Sequence, residues 1–176
     1  MRKLLYSSIL VLGVFLSSCT VHYVPLPYPV ARGAAPDLKG NQAVCIVNIS
    51  TASGEILLGT SATGYKYMGN LSTWTEKAMD LLKFELHSSG FFIRECGNDT
   101  KQIRLSITKA QIVAHIGAKC LLELHLETGD GYSQSYKVSN SYITYDRASD
   151  EAITKAVIAV LNDKRVTDYL KTADKK

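Results

Sequence analysis

Proline divides this chain more sharply than any other residue type. All four prolines lie between positions 25 and 36, and none follows in the rest of the 176 residues. Alternating proline favours an extended polyproline II backbone and removes amide donors that a sheet needs. Residues 19–39 are therefore predicted to lie outside the globular unit, which we expect to be a single domain over residues 40–176.

Two arrangements of this proline-rich segment are open. As a free tether, residues 20–39 would reach up to about 60 Å at roughly 3.1 Å per residue. As a strap, they would lie along the domain, since Tyr23, Val24 and Tyr28 are apolar enough to dock.

The first 18 residues have the organisation of a signal peptide. Arg2 and Lys3 form a basic start, and the thirteen residues 4–16 are mostly apolar. This stretch is shorter than the ~20 residues that a helix needs to cross a bilayer, so it is predicted to be a signal-peptide core.

The residues Leu16, Ser17, Ser18 and Cys19 resemble the lipobox of bacterial lipoproteins. The resemblance implies that the Cys19 thiol receives diacylglycerol, that a peptidase cuts before it, and that the new amine is acylated with a fatty acid such as palmitate. Two or more acyl chains hold a protein stably on a membrane, at ~0.8 kcal/mol per buried methylene. Thr20, in place of aspartate, implies an outer-membrane address, with the domain facing the periplasm. The alternative is an ordinary secretory signal with a chance cysteine.

Composition excludes other classes of protein. With 46% hydrophobic and 20% charged residues, the chain is too apolar to be disordered. Once Arg2 and Lys3 are removed, 18 Lys and Arg remain against 16 Asp and Glu. Nucleic acid is not an expected partner, because this charge is far from the basic footprint that nucleic-acid binding requires.

The first half of the domain is predicted to be strand, hairpin and helix. A continuous apolar run at 43–49 indicates a strand buried on both faces. Residues 51–69 carry four glycines and predict a long loop or a loose hairpin. A helix is predicted to begin at a capping box formed by Thr73 and Glu76 and to end at Gly90.

The second half is predicted to be mainly antiparallel sheet. Alternating apolar residues from Ile103 onward indicate a hairpin hinged at Gly117, in which His115 would pair with Cys120. A further strand at 133–145 precedes a helix that Ser149 would cap. A short last helix is predicted near Val166 to Leu170. The fold class is therefore α+β: a mixed, largely antiparallel sheet of about four to five strands, with two main helices packed on one face.

The whole pattern resembles the YajG-like lipoproteins of bacterial envelopes. The matching features are the lipobox, the glycine-rich stretch Gly54–Gly59, the helix-to-strand join Leu86–Phe92, the Gly117 hinge and the spacing of Ile153, Val157 and Leu161. The resemblance implies an envelope lipoprotein without known catalysis. Accessory lipoproteins of lipid or polysaccharide export have a similar layout, and a protein of that kind would bind lipid in a groove between helices and sheet.

Catalytic and metal-binding residues are not expected. His22, His87, His115 and His125 do not converge on one site in the predicted fold, and a zinc site needs three or four ligands. Nucleophile-elbow, phosphate-loop, HExxH and CxxC patterns do not occur in the sequence. We therefore expect neither enzymatic activity nor a cofactor.

Tyr132, Tyr136 and Tyr142 form a candidate interaction surface, because they share one parity on the last predicted strand. Tyrosine offers a large contact area and a polar tip, which suits an envelope protein partner. The alternative is that these rings only cover the sheet.

Three cysteines remain after Cys19. Parallel strands would place Cys45 and Cys96 at opposite ends of the sheet, ~15 Å apart and too far for a disulfide. Cys45 could pair only with Cys120, and buried cysteine is also an ordinary core residue. Three free thiols are therefore the favoured prediction, with a Cys45–Cys120 bridge as the alternative.

Overall fold

The structure is a computed structural model and describes residues 19–115 and 117–172. The strands, in chain order, are β1 (Thr20–His22), β2 (Ala43–Asn48), β3 (Ile56–Thr60), β4 (Lys66–Gly69), β5 (Phe92–Ile93), β6 (Lys101–His115), β7 (Gly117–Thr128) and β8 (Ser133–Tyr142). The helices are α1 (Leu71–Ser88), α2 (Tyr145–Asn162) and α3 (Lys164–Lys171). Leu16, Ser17 and Ser18 lie outside the described residues.

The strands form two sheets. The main sheet has the order β5-β2-β6-β7-β8, and the small sheet has the order β1-β4-β3. In the main sheet β2 runs parallel to β5 and β6, whereas β6, β7 and β8 are antiparallel. The small sheet contains the hairpin of β3 and β4, with β1 added in parallel. The predicted α+β class with a mixed, largely antiparallel sheet is confirmed.

Both long helices pack on one face of the main sheet. Leu105, Ile107 and Leu124 point to this face and are at most 1% exposed, because alternate residues of a strand lie on the same side. On the opposite face Arg104 and Glu127 form an ion pair of 2.9 Å that solvent reaches. The sheet therefore has one buried and one solvated face.

The hairpin of β6 and β7 has a different register from the predicted one. Ile112 pairs with Cys120 and His115 pairs with Gly117, so the predicted pairing of His115 with Cys120 is wrong. Gly117 already belongs to β7, with a φ of +96° that favours glycine. A bulge near Thr108 shifts the register again further along the hairpin.

The long helices begin earlier than predicted. The side chain of Asn70 accepts hydrogen bonds from the amides of Ser72 (2.8 Å) and Thr73 (3.3 Å), so Asn70 caps α1 and Thr73 lies inside the first turn. Ser149 is likewise inside α2, which begins after Thr144. In both cases one more turn of helix packs against the rest of the domain than the apolar pattern indicated.

Cys45 and Cys96 form a disulfide with a Cα–Cα distance of 5.1 Å, and Cys120 is a buried free thiol. The predicted three free thiols and the alternative Cys45–Cys120 bridge are both wrong. The strands run parallel as expected, but β5 has only two residues and pairs Phe92 with Ala43. The chain therefore leaves β5 beside Cys45, instead of carrying Cys96 to the other end of the sheet.

The proline-rich segment adopts the strap arrangement. After β1 it follows α2, where Tyr28 donates its amide to Thr154 (3.1 Å) and Asn162 donates its side-chain amide to the carbonyl of Ala34 (3.0 Å). It ends at Leu38, which is 3% exposed. The strap thus covers α2 along its length before the chain enters the main sheet.

The main sheet has two ends that are roughly 45 Å apart along β6, at about 3.3 Å per residue. We call the end that contains Cys45 and the start of β6 the far end. The other end contains the turn between β6 and β7, and the small sheet packs beside it. A Cβ at Gly59 in β3 would overlap the carbonyl oxygen of Ile112, so the two backbones are in close contact there.

Candidate functional site

Cys19, the predicted lipidation residue, is exposed and its thiol is free. Its carbonyl accepts a hydrogen bond of 3.0 Å from the amide of Lys66, which continues the pairing of β1 with β4 by one residue. The residue that would carry the acyl chains is therefore held directly against the small sheet.

Asp150 on α2 holds the strap just after Cys19. Its carboxylate accepts hydrogen bonds from the Tyr23 hydroxyl and from the amide of Leu26, the latter at 2.7 Å. Tyr23 also packs edge-on against the ring of Trp74, which donates its indole N–H to the Tyr23 carbonyl at 3.3 Å. Asp150 is 6% exposed, and this burial raises its pKa above the ordinary value despite the two hydrogen bonds.

Asp163 has the corresponding role near the far end. Its Oδ2 accepts hydrogen bonds from the hydroxyls of Tyr132 (2.8 Å) and Tyr136 (2.6 Å) on the β8 side. Its Oδ1 accepts from the amides of Arg165 (2.8 Å) and Val166 (3.4 Å), which caps α3. Burial raises the pKa of Asp163, but the hydrogen bonds outweigh it and the net pKa is lowered.

The three tyrosines of the candidate interaction surface therefore lie on the helix side of the sheet. Tyr132 and Tyr136 are bonded to Asp163, and the Tyr142 hydroxyl accepts a hydrogen bond of 2.9 Å from Arg147. All three rings are half-buried and pack on the core. The rings therefore cover the helix side of the sheet with part of their surface exposed, and their use as an interaction surface stays a prediction.

The histidines are separated. His22 lies 2.8 Å from a carboxylate oxygen of Glu55, and His125 lies 3.2 Å from the Ser135 hydroxyl. Among residues 19–115 and 117–172, no three His, Cys, Asp or Glu side chains are grouped so that they could hold a metal ion.

A polar cavity of about 390 Å³ opens at the far end. It lies between the loop after Cys96 and the turn at Gly129, and Lys101 and Tyr169 line it. The Lys101 ammonium is 4.9 Å from the centre of the Tyr169 ring, and the Tyr169 hydroxyl accepts the amide of Gln102 at 2.8 Å. Sequence reasoning missed this cavity, because it depends on the disulfide that draws the loop over the end of the sheet.

An apolar cavity of about 260 Å³ lies between the strap and α1. Leu26, Pro27, Pro29, Leu81 and Phe84 line it, together with Lys77 and Asp80. Leu26 and Phe84 are 69% and 54% exposed. By contrast, the interface between helices and sheet, where a lipid groove was expected as an alternative, is filled by buried side chains that include Trp74, Leu82 and Ile153.

The fold is similar to that of one solved bacterial protein. A structure of a Xanthomonas campestris protein described as family-model DUF330 has a TM-score of 0.51 and 15% sequence identity, covering 85% of this chain and 94% of that one. A minor lipoprotein from Acinetobacter baumannii has a TM-score of 0.36 at 15% identity, covering 75% and 92%. An uncharacterised protein has a TM-score of 0.49 at 12% identity, covering 85% and 98%. The first of these similarities supports the fold alone.

Neither the family models nor the curated proteins contain a match to this chain. In the part of the chain that the structure describes, no helix is both long and apolar enough to cross a membrane.

Proposed function

We propose that this protein is a bacterial envelope lipoprotein, anchored by acyl chains on Cys19, that acts as a non-catalytic interaction or accessory module. One observation carries the proposal. The signal-peptide pattern ends in a lipobox, and the cysteine of that lipobox is an exposed free thiol at the start of the folded domain. A modifying enzyme could therefore reach Cys19 without unfolding the domain.

The use of the other reactive groups supports a non-catalytic role. The Cys120 thiol is buried, which raises its pKa to about 11 and leaves little thiolate at neutral pH. The perturbed carboxyls Asp150 and Asp163 are both occupied in holding the strap and β8. The two carboxylates hold elements of the domain together, and each has hydrogen-bond partners within the chain.

The finer parts of the proposal rest on the sequence. Thr20 after the lipidated cysteine favours the outer membrane, and the domain would then face the periplasm. The expected envelope protein partner rests on Tyr132, Tyr136 and Tyr142, whose rings are half-buried.

A second candidate is an accessory lipoprotein of a lipid or polysaccharide export assembly. The apolar cavity between the strap and α1 favours it, because Leu26 and Phe84 offer exposed apolar surface to an acyl chain. This cavity lies outside the helix–sheet interface, so lipid would bind against the strap.

Fractionation of the envelope tests the proposal. Wild-type protein should sediment with the outer membrane, whereas Cys19→Ser should remain as an uncleaved precursor. Cross-linking followed by purification of the acylated protein then separates the two candidates. A stoichiometric protein partner supports the interaction module, and co-purified lipid that Phe84→Ser abolishes supports the second candidate. Release of Cys19→Ser as a mature soluble protein would contradict the anchor.

A further inference from the structure

No flexible linker separates Cys19, the residue proposed to be acylated, from the folded domain. The Cys19 carbonyl is hydrogen-bonded to Lys66, and the Tyr23 amide donates to the Met68 carbonyl at 3.0 Å. The strap is then bound to α2 through Asp150. A docked strap cannot also serve as a tether of tens of ångströms, so acyl chains on Cys19 would bring the small sheet to the bilayer surface.

The surroundings of Cys19 can be followed through contacts. Val21 pairs with Tyr67 in β4, and the Tyr67 ring stacks on Tyr145 with 4.2 Å between centroids. Tyr145 begins α2, two residues after Ile143. Cys19 and Ile143 therefore lie at the same end of the molecule, opposite the far end.

This end exposes apolar side chains. Ile143 is 83% exposed, Tyr65 is 44% exposed and Val21 is 37% exposed. Ile143 stands beside the turn between β6 and β7, since a Cβ at Gly117 would lie 3.5 Å from the Ile143 Cα. We call the surface formed by Cys19, Val21, Tyr65, Lys66 and Ile143 the anchor end.

Cations surround these apolar groups. Lys66 and Lys119 are exposed, and Arg147 is exposed beside Tyr142. The acidic residues in this region include Asp146, Asp150 and Glu151, which interact with Arg147, and Glu55, which pairs with His22. Exposed apolar and aromatic side chains with a rim of Lys and Arg are typical of surfaces that lie in the headgroup region of a bilayer.

We propose that the anchor end rests directly on the phospholipid surface, with Ile143 and Tyr65 entering the headgroup region. This orientation rests on the proposed acylation of Cys19, because the position of the acyl chains determines which end of the domain faces the membrane. The far end, with its polar cavity, then faces away from the bilayer and is free to meet a protein partner.

Two positions at opposite ends of β8 provide a matched pair for the test. Ile143→Cys follows the strand at the anchor end, and Ser133→Cys begins it at the far end, on an exposed residue. A thiol-reactive fluorophore would label only the introduced cysteine in the folded, acylated protein. Cys19 is then blocked by lipid, Cys45 and Cys96 are bridged, and Cys120 is buried.

The acylated proteins are purified, their N-termini are checked by mass spectrometry, and they are inserted into vesicles of phosphatidylethanolamine and phosphatidylglycerol that contain a nitroxide-labelled phospholipid. We expect about a two-fold or greater loss of fluorescence at position 143 and no loss at position 133. Equal fluorescence at both positions in protein with acylated Cys19 would overturn the orientation and leave the anchor intact. An unacylated N-terminus would overturn the proposed function and the orientation with it.

Discussion

The two ends of the main sheet are held together in different ways. At the far end a disulfide joins Cys45 to Cys96, and Asp163 accepts four hydrogen bonds, two from Tyr132 and Tyr136 and two from the first turn of α3. Near the anchor end the strap is held through Asp150, which accepts two hydrogen bonds. The far end is thus cross-linked within the domain, whereas the anchor end depends on a peripheral segment and would gain further support from the membrane.

The pKa values of the two carboxyl groups are shifted in opposite directions. Four donors lower the net pKa of Asp163 despite its burial, so ionised Asp163 stabilises the fold. Burial raises the pKa of Asp150, and two donors do not compensate for it, so ionised Asp150 costs stability. Asp150 is more deeply buried than the half-buried Asp163 and accepts fewer hydrogen bonds, and both differences raise its pKa relative to that of Asp163.

Removing the disulfide should have the largest effect. Bridged residues 51 positions apart restrict the unfolded chain, and loop entropy assigns about 4 kcal/mol to such a closure. Cys96→Ser should therefore lower the melting temperature by about 10 °C in calorimetry. A reductant should lower the melting temperature of the wild type to that of the variant and leave the variant unchanged. A wild type insensitive to reductant would show that the far end is not cross-linked.

Replacing Asp163 by asparagine should have the next largest effect. Hydrogen bonds to a charged group contribute about 1.5–3 kcal/mol, and we expect a loss in this range at pH 7 for Asp163→Asn. The pKa of Asp163 is lowered in the fold, so its contribution is present above the unfolded pKa and is lost as pH falls through the folded pKa. Urea unfolding at pH 7 and at about pH 3 should show the difference from wild type narrowing in acid. A difference in the free energy of unfolding that stays the same at both pH values would show that the charge of Asp163 does not stabilise the fold.

Tyr23→Phe should cost about 1 kcal/mol, because Asp150 loses one of its two donors. The loss is local, so limited proteolysis is the sharper measurement: cleavage within 23–39 should become several-fold faster. Tyr28→Phe is the matched control, since Tyr28 contacts α2 through its backbone amide and carbonyl. Equal acceleration by both variants would mean that the Tyr23 hydroxyl does not hold the strap.

Asp150→Asn should have the smallest effect, and its pH dependence should be opposite to that of Asp163→Asn. An amide oxygen can still accept from Tyr23 and Leu26, and it removes the cost of burying a charge. Because the folded pKa of Asp150 is raised, its stabilising contribution is present below the unfolded pKa and is lost as pH rises through the folded pKa. Relative to the wild type, the free energy of unfolding of the variant should rise by up to about 1 kcal/mol between pH 3 and pH 7. A relative free energy of unfolding that falls over that interval would show that ionised Asp150 stabilises the fold, contrary to this prediction.

Periodic patterns in the sequence predicted the fold class well. Alternation in β6 and β7 gave the hairpin with one wet face, and apolar stripes gave two helices on the other face. Structural details that depend on a single residue were harder to predict from the sequence. The cap at Asn70 precedes the periodic pattern, and the disulfide of Cys96 depends on β5 having only two residues.

The sequence alone did not decide whether residues 20–39 form a free tether or a docked strap. Apolar residues at 23, 24 and 28 permit docking, but only the fold brings Asp150 beside Tyr23 from 127 positions away. Cys19 differs from these cases, because its prediction comes from a local motif and does not depend on tertiary structure. Its modification stays a prediction.

Mass spectrometry of the mature N-terminal peptide decides whether the protein is lipid-anchored. We expect a chain that begins at Cys19, with diacylglycerol on its thiol and a fatty acid on its amine. An unmodified chain that begins at Thr20 or later would contradict the lipoprotein assignment.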